Sequence, residues 1–315
     1  MHSDSFLHDH GEFKQLIQIV SDELSILPQL VEKDYWIMHC LWGLQQKLHF
    51  ELKGGTSLSK GFGIIDRFSE DIDIRINPPE GMEVKTGKSQ DKPSHIESRR
   101  NYFDWLQKAI QIPGIASVER DKTYDDDILR NAGIRLLYKS YFPIVSGVKD
   151  GVLLEVGFDD TAPNREVTIS SWAFDRAIKQ DVSFKDNRST KVKCYCPEFT
   201  FVEKLQTIST KFRRQQESGS FPTNFMRHYY DIYQLLTQLE VQDFIGTEAY
   251  EARKRQRFRR GDNLKISEND AFLLKDPATR KLYESEYLKT GSLYYKGQIP
   301  LSKILGRIEE YIDRL

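Results

Sequence analysis

Two short segments alternate apolar and polar residues with a period of two, and they constrain the fold more than any other feature of the chain. Residues 70–76 read EDIDIRI and residues 151–160 read GVLLEVGFDD. As a strand, the first places Ile72, Ile74 and Ile76 on one face and Asp71, Asp73 and Arg75 on the other. The second alternates Val152, Leu154, Val156 and Phe158 with Leu153, Glu155 and Gly157, so Glu155 is the lone charge within an apolar strand. His49–Leu52 and Ile134–Tyr138 also read as strands.

Elsewhere the period is helical. Phe13, Leu16, Ile17 and Val20 share one face, and Val31, Tyr35, Met38 and Trp42 share another behind a helix-starting Pro28. Within that second helix, Glu32-Lys33-Asp34 is expected to be a solvated face. A third helix is expected over Arg99–Ile112, after a stretch over residues 77–97 whose Pro, Gly and charge suggest a mobile excursion. From Pro197 onward strand signals fade. Phe201, Leu205, Ile208 and Phe212 form a helical stripe, Tyr229–Leu239 another, and the last 15 residues a third. The order predicts an α+β or α/β core, over residues 1–190, and a helical lobe, over residues 191–315, with a seam near 186–197.

Composition narrows the class. The chain has 315 residues, 39% hydrophobic and 30% charged, with a formal net charge of -1. That balance is globular and exerts no global pull on nucleic acid, so any such interest must come from local clusters. Cys40, Cys194 and Cys196 suit neither a zinc knuckle nor a disulfide framework. The opening MHSDSFLHDHGEF lacks the basic and apolar regions of a signal peptide, and no run approaches the roughly 18 apolar residues of a membrane span. A reducing cytoplasm is the expected setting, with no membrane partner.

Asp71 and Asp73, two strand steps apart and roughly 6.6 Å between Cα atoms, point the same way and repel unless something positive lies between them. Taken alone, such a pair is more often the wet face of an amphipathic edge than a site. If the strand of Glu155 lies alongside, its carboxylate completes a three-acid set of hard oxygen donors for Mg²⁺ or Mn²⁺. Just upstream, Gly54-Gly55 breaks a strand, and Thr56-Ser57 is placed to cap a short helix running through Leu58 and Phe62. Such a turn favours phosphate, and Lys60 adds a point charge. The stretch lacks the spacing of a Walker P-loop and of a dinucleotide fingerprint. In PEFTFVEKLQTISTKFRR, Lys204, Thr207 and Lys211 flank the apolar stripe, while His228 and Asp231 lie one turn apart in RHYYDIYQLL. By spacing alone, Lys204 reads rather as a solvated helix lysine.

With these pieces assembled, the chain resembles the AbiEii/AbiGii nucleotidyltransferase-like toxins of the DNA polymerase β-like superfamily. The resemblance rests on VEKDYW (31–36), KGGTSLSKGFG (53–63), RFSEDIDI (67–74), EKLQTISTKFR (203–213) and RHYYDIYQLL (227–236), which occur in order over some 200 residues. It implies a nucleotidyltransferase-type mixed sheet with flanking helices and a helical C-terminal lobe, holding a nucleoside triphosphate. Carried over, Gly54, Gly55, Thr56 and Ser57 would cradle phosphates with Lys60 and Ser69. Asp71 and Asp73, with Glu155, would bind the catalytic metals. Lys204 would meet the triphosphate, and Asp231 would line the site. The implied reaction is nucleotidyl transfer to a hydroxyl such as an RNA 3′-OH, with tRNA a family acceptor and a transcriptional regulator encoded alongside as antitoxin.

An RNA surface has one local candidate. RKRQRFRR (253–260) carries Arg253, Lys254, Arg255, Arg257, Arg259 and Arg260 with Phe258 among them, and Lys211, Arg213 and Arg214 would extend it. A solvated face is the plainer reading. Two alternatives stay open: a nucleotide- or partner-binding protein without turnover on the same fold, and an enzyme that nucleotidylates a protein hydroxyl.

Overall fold

Residues 4–143, 148–180 and 183–315 are described by the computed structural model. Seven strands form one mixed sheet: β1 (Phe50–Lys53), β2 (Asp71–Ile76), β3 (Ile115–Asp121), β4 (Asn131–Tyr138), β5 (Val152–Gly157), β6 (Asn164–Ile169) and β7 (Ser189–Tyr195). Their order is β3-β4-β5-β2-β1-β7-β6. The β2–β5 and β1–β7 pairs are parallel and the others antiparallel. The protein is α+β, as the changing period predicts.

By compactness the chain divides into two units. The first comprises Met1–Gly61 and Ser69–Tyr195, the second Phe62–Phe68 and Cys196–Leu315. The first unit owns the sheet. Its Ile72, Ile74, Leu154 and Val156 are buried on one face, where Trp36 stacks on Tyr138 at 4.8 Å and Phe103 meets Phe158 at 5.4 Å between ring centroids. These contacts bring the Pro28–Gln45 and Pro93–Ala109 helices onto that face. Burying an aliphatic or aromatic side chain of this kind stabilises a fold by roughly 1.5–3 kcal/mol. The carboxylates of β2 point the other way, because successive strand residues alternate.

Two expectations fail here, for one reason. Glu32, Lys33 and Asp34 are not a solvated face but are buried, each satisfied by residues distant in sequence. Glu32 accepts from the Ser140 hydroxyl at 2.5 Å and the Tyr141 N–H at 2.9 Å, Lys33 pairs with Glu70 at 3.4 Å, and Asp34 pairs with Lys60 at 2.9 Å. The Pro28–Gln45 helix is wrapped on every side, so its polar positions need tertiary partners. Likewise the stretch after β2 is pinned: the buried Arg99 guanidinium donates to the carbonyls of Lys85, Gln90 and Ile128, and the helix begins at Pro93, inside the expected excursion. The unpredicted β3 and β6 are the sheet edges, and β7 carries exposed lysines between its buried positions, which dilutes the apolar signal.

In the second unit, the Pro197–Ser218 and Arg227–Leu235 helices supply the buried stripe of Phe201, Leu205, Ile208, Tyr229 and Ile232. Tyr229 donates to the Ala271 carbonyl at 2.6 Å, and the Phe68 N–H donates to the Leu293 carbonyl at 2.8 Å, which ties the 62–68 segment into this unit. Leu301–Glu309 is the last helix. No helix among the described residues is long and apolar enough to cross a membrane.

Candidate active site

The parallel pairing of β2 with β5 sets Asp73 directly opposite Glu155 and Asp71 opposite Leu153, so all three carboxylates lie on one face of the sheet. The sequence pattern anticipates each acid; their adjacency comes from the pairing. Burial makes the cluster costly. It pushes the Glu155 carboxyl up to about 8, with the nearby Asp73 and Asp71 charges adding to the rise. Burial also raises Asp71, opposed by the Lys149 ammonium 2.7 Å from its Oδ2. Asp71 Oδ1 is buried with no hydrogen-bond partner.

The glycine turn closes one end of this row. Gly54 has a left-handed φ of +75°, and a Cβ there would lie 2.1 Å from Asp73 Oδ2. Only glycine lets the backbone approach that carboxylate so closely. The turn begins helically at Gly54 itself, with no side-chain cap, and continues as a wider π-type turn over Ser57–Gly61. The expected Thr56-Ser57 cap is therefore not formed. Instead the buried Thr56 hydroxyl donates to the Asp71 carbonyl and lies 3.1 Å from the Ser69 hydroxyl, and Ser57 donates to the Gly54 carbonyl at 2.9 Å. Gly55 is buried in the turn. Lys60 pairs with Asp34 and lies 4.5 Å from the centre of the Trp172 ring. The Thr56 hydroxyl locks the turn against β2 at Asp71 itself.

The donor set tests well against a hard divalent cation: three carboxylates in a row, one of their oxygens buried and unsatisfied. Among the described residues, no three carboxylate, imidazole or thiolate groups already close into a metal cage. Asp71 is engaged by an ammonium instead.

The second unit carries its own charged centre. Asp231, fully buried, accepts from Arg67 Nε at 2.6 Å and Nη2 at 2.8 Å, a two-point grip, and its Oδ2 lies 2.9 Å from Lys204 Nζ. Burial works against this carboxylate's charge, but Arg67 and Lys204 outweigh it and hold the acid well below its usual range. Lys204 is thus buried rather than a solvated helix lysine. His228 lies between two ammonium groups, 3.4 Å from Lys204 through Nδ1 and 3.4 Å from Lys211 through Nε2. Burial, then those two cations, keep its ring neutral. Sequence reading singled out Lys204 and Asp231 but missed Arg67 as their third member. Its only signal was its place in the RFSEDIDI motif.

The basic run does not form one exposed surface. Arg253 and Lys254 are buried. Arg253 and Arg257 share Glu203, at 2.8 and 2.5 Å, and Lys254 donates to the Leu315 carbonyl. Arg213 is paired with Asp262 at 3.1 Å and Glu217 at 3.1 Å, and Lys211 is half-buried. Arg214, Arg255, Arg259 and Arg260 are exposed. The linear run counts charge, whereas helical geometry over Glu248–Arg257 turns part of it inward.

Comparison with known proteins joins these halves to a family. No curated protein matches the chain. A family model described as nucleotidyl transferase AbiEii toxin, type IV toxin–antitoxin system, matches residues 36–296, a span that includes Gly54, Asp71, Asp73, Glu155, Lys204 and Asp231. A match over so much of the chain, on the residues that the geometry gathers, means that the protein belongs to the AbiEii family of nucleotidyl transferase toxins.

Proposed function

We propose that the protein transfers a nucleoside monophosphate from a nucleoside triphosphate to an RNA hydroxyl, with a tRNA 3′ end as acceptor, and that Asp71, Asp73 and Glu155 hold Mg²⁺ or Mn²⁺ for the reaction. The observation that carries this reading is the register that sets Asp73 against Glu155, beside an Asp71 oxygen that is buried and unsatisfied. When bound, a divalent cation supplies the charge that lowers the pKa of an attacking hydroxyl and offsets charge on departing pyrophosphate. Asp71 and Asp73 bind it through hard oxygen donors, and Gly54 leaves the space that Asp73 needs.

Lys204 offers its ammonium to phosphate oxygens, and the Arg67–Asp231 grip fixes where that ammonium stands. Ser69 and the Gly54–Ser57 turn position the strand of acids, and Lys60 supports the turn through Asp34. The acceptor oxygen forms its bond to the α-phosphorus as the bond to pyrophosphate breaks, and the hydroxyl proton leaves to solvent. No nucleophile from the protein is required. The exposed Arg214, Arg255, Arg259 and Arg260 are the groups proposed to meet the RNA backbone. An antitoxin partner follows from the family's type IV toxin–antitoxin description, and the cytoplasm, where triphosphates and RNA meet, is the proposed setting.

Incubating the protein with Mg²⁺, each labelled triphosphate in turn and total tRNA tests this. Labelled tRNA, lost in Asp71→Ala, is the expected result. Labelled protein in place of RNA would establish the protein-modifying alternative. Absence of any transfer, with cellular toxicity unchanged in Asp71→Ala, would leave a binding protein without turnover.

A further inference from the structure

Lys149 has no role in the reading above, yet its ammonium lies 2.7 Å from Asp71 Oδ2. It stands three residues before β5, and no sequence pattern marks it. The main chain at this residue is tied down twice. Its N–H donates to Glu70 Oε2 at 2.8 Å, and its carbonyl accepts from the Lys33 ammonium. Lys33 also pairs with Glu70 at 3.4 Å, the two side chains being only 3% and 2% exposed. The Lys149 ammonium further lies 4.8 Å from the centre of the Tyr124 ring.

These contacts fix a cation against one end of the carboxylate row. Glu70, whose side chain anchors the lysine's backbone, is the residue immediately before Asp71, so tether and target share one stretch of chain. Lys149 pairs directly with only one of the three carboxylates, while Lys53, opposite Asp73 on β1, adds a weaker attraction for Glu155. This leaves Asp71 Oδ1 without a partner and leaves Asp73 and Glu155 facing each other. A small divalent cation needs those same oxygens at close range and in larger number than an ammonium can engage. Asp71 Oδ2 cannot give its full charge to both.

We infer that Lys149 is a tethered stand-in for the metal: it holds Asp71 in the metal-free protein and competes with a divalent cation for that carboxylate. The inference rests on the proposed role of Asp71, Asp73 and Glu155 as metal ligands. Lys149 therefore sets the cation concentration at which the site fills, and the Lys33–Glu70 pair sets how firmly Lys149 is held.

Titrating the full-length protein with Mn²⁺ alone, followed by electron paramagnetic resonance and by thermal melting, tests this without turnover. Lys149→Met, which keeps the chain length and removes the charge, is expected to bind Mn²⁺ at least about tenfold more tightly than wild type. Its metal-free form should melt lower than wild type, and Mn²⁺ should raise its melting temperature by more. Lys149→Arg should stay near the wild-type affinity. Should Lys149→Met not fold, the paired Lys33→Met/Glu70→Ala variant, which removes both tethering groups and keeps the lysine, is expected to tighten binding several-fold. Equal or weaker affinity in the foldable variants, with Asp71→Asn abolishing Mn²⁺ binding, overturns this inference alone. No Mn²⁺ binding by wild type or any variant overturns it together with the metal reading.

Discussion

Asp73 and Glu155 stand opposite one another across parallel strands, and burial with like charge lifts Glu155 to about 8. A pair of this kind stores unfavourable energy until a cation or a proton relieves it.

The metal-free protein should therefore lose stability as pH rises. An unfolded glutamate titrates near 4.5 and the folded Glu155 near 8, so between these values the folded state binds more protons than the unfolded one. Glu155 then favours folding below about 4.5 and progressively opposes it up to about 8, at no more than roughly 1.4 kcal/mol per pH unit for one proton. Glu155→Gln, a neutral mimic, should melt close to wild type near pH 5 and above it at pH 8 in a chelator. Parallel melting curves for the two proteins would show Glu155 unstrained.

Removing either aspartate should stop chemistry without unfolding the sheet. Asp71→Asn and Asp73→Asn are expected to lower nucleotidyl transfer at least about 100-fold. Label incorporation reports the loss, and circular dichroism should show the fold retained. Transfer within a few-fold of wild type would remove both residues from the active centre.

Gly54→Ala should act through Asp73. The added Cβ would meet Asp73 Oδ2 at 2.1 Å from a backbone with φ of +75°. The left-handed conformation alone costs about 1–3 kcal/mol for a residue with a side chain. Urea denaturation should show that loss, and Mn²⁺ affinity should fall as the carboxylate is pushed aside.

Asp231→Asn should be severe, because it leaves Arg67 and Lys204 buried without their counter-charge. Breaking a buried pair by removing one partner costs about 3–5 kcal/mol. Arg67→Lys should be milder in stability yet still impair transfer, since a lysine cannot reproduce the two-point grip that orients Asp231. Equilibrium unfolding and transfer assays together separate the two effects.

Within the basic run, position should decide outcome. Arg255→Ala, Arg259→Ala and Arg260→Ala combined are expected to weaken RNA binding and flatten its salt dependence by about 0.7 in log–log slope per lost phosphate contact. Arg253→Ala, which strips a buried partner from Glu203, should show instead as a lowered melting temperature. RNA titrations at several salt concentrations distinguish these classes.

By itself the sequence determined that the chain alternates between strand and helix periods, that Asp71 and Asp73 share a face opposite Ile72 and Ile74, and that Glu155 is a lone acid in an apolar strand. These are local consequences of a two-residue repeat, so they are legible one segment at a time. The family likeness was legible as well, in the order of its motifs, and the match over residues 36–296 agrees with it. Tertiary structure alone decided that β5 lies beside β2 rather than elsewhere, that Glu32, Lys33 and Asp34 are buried, and that Arg67 joins Lys204 around Asp231. It also placed Lys149 on Asp71. The physical reason is common to all of these. A charge reads as solvated until a partner from far along the chain takes it out of water, and no local pattern names that partner.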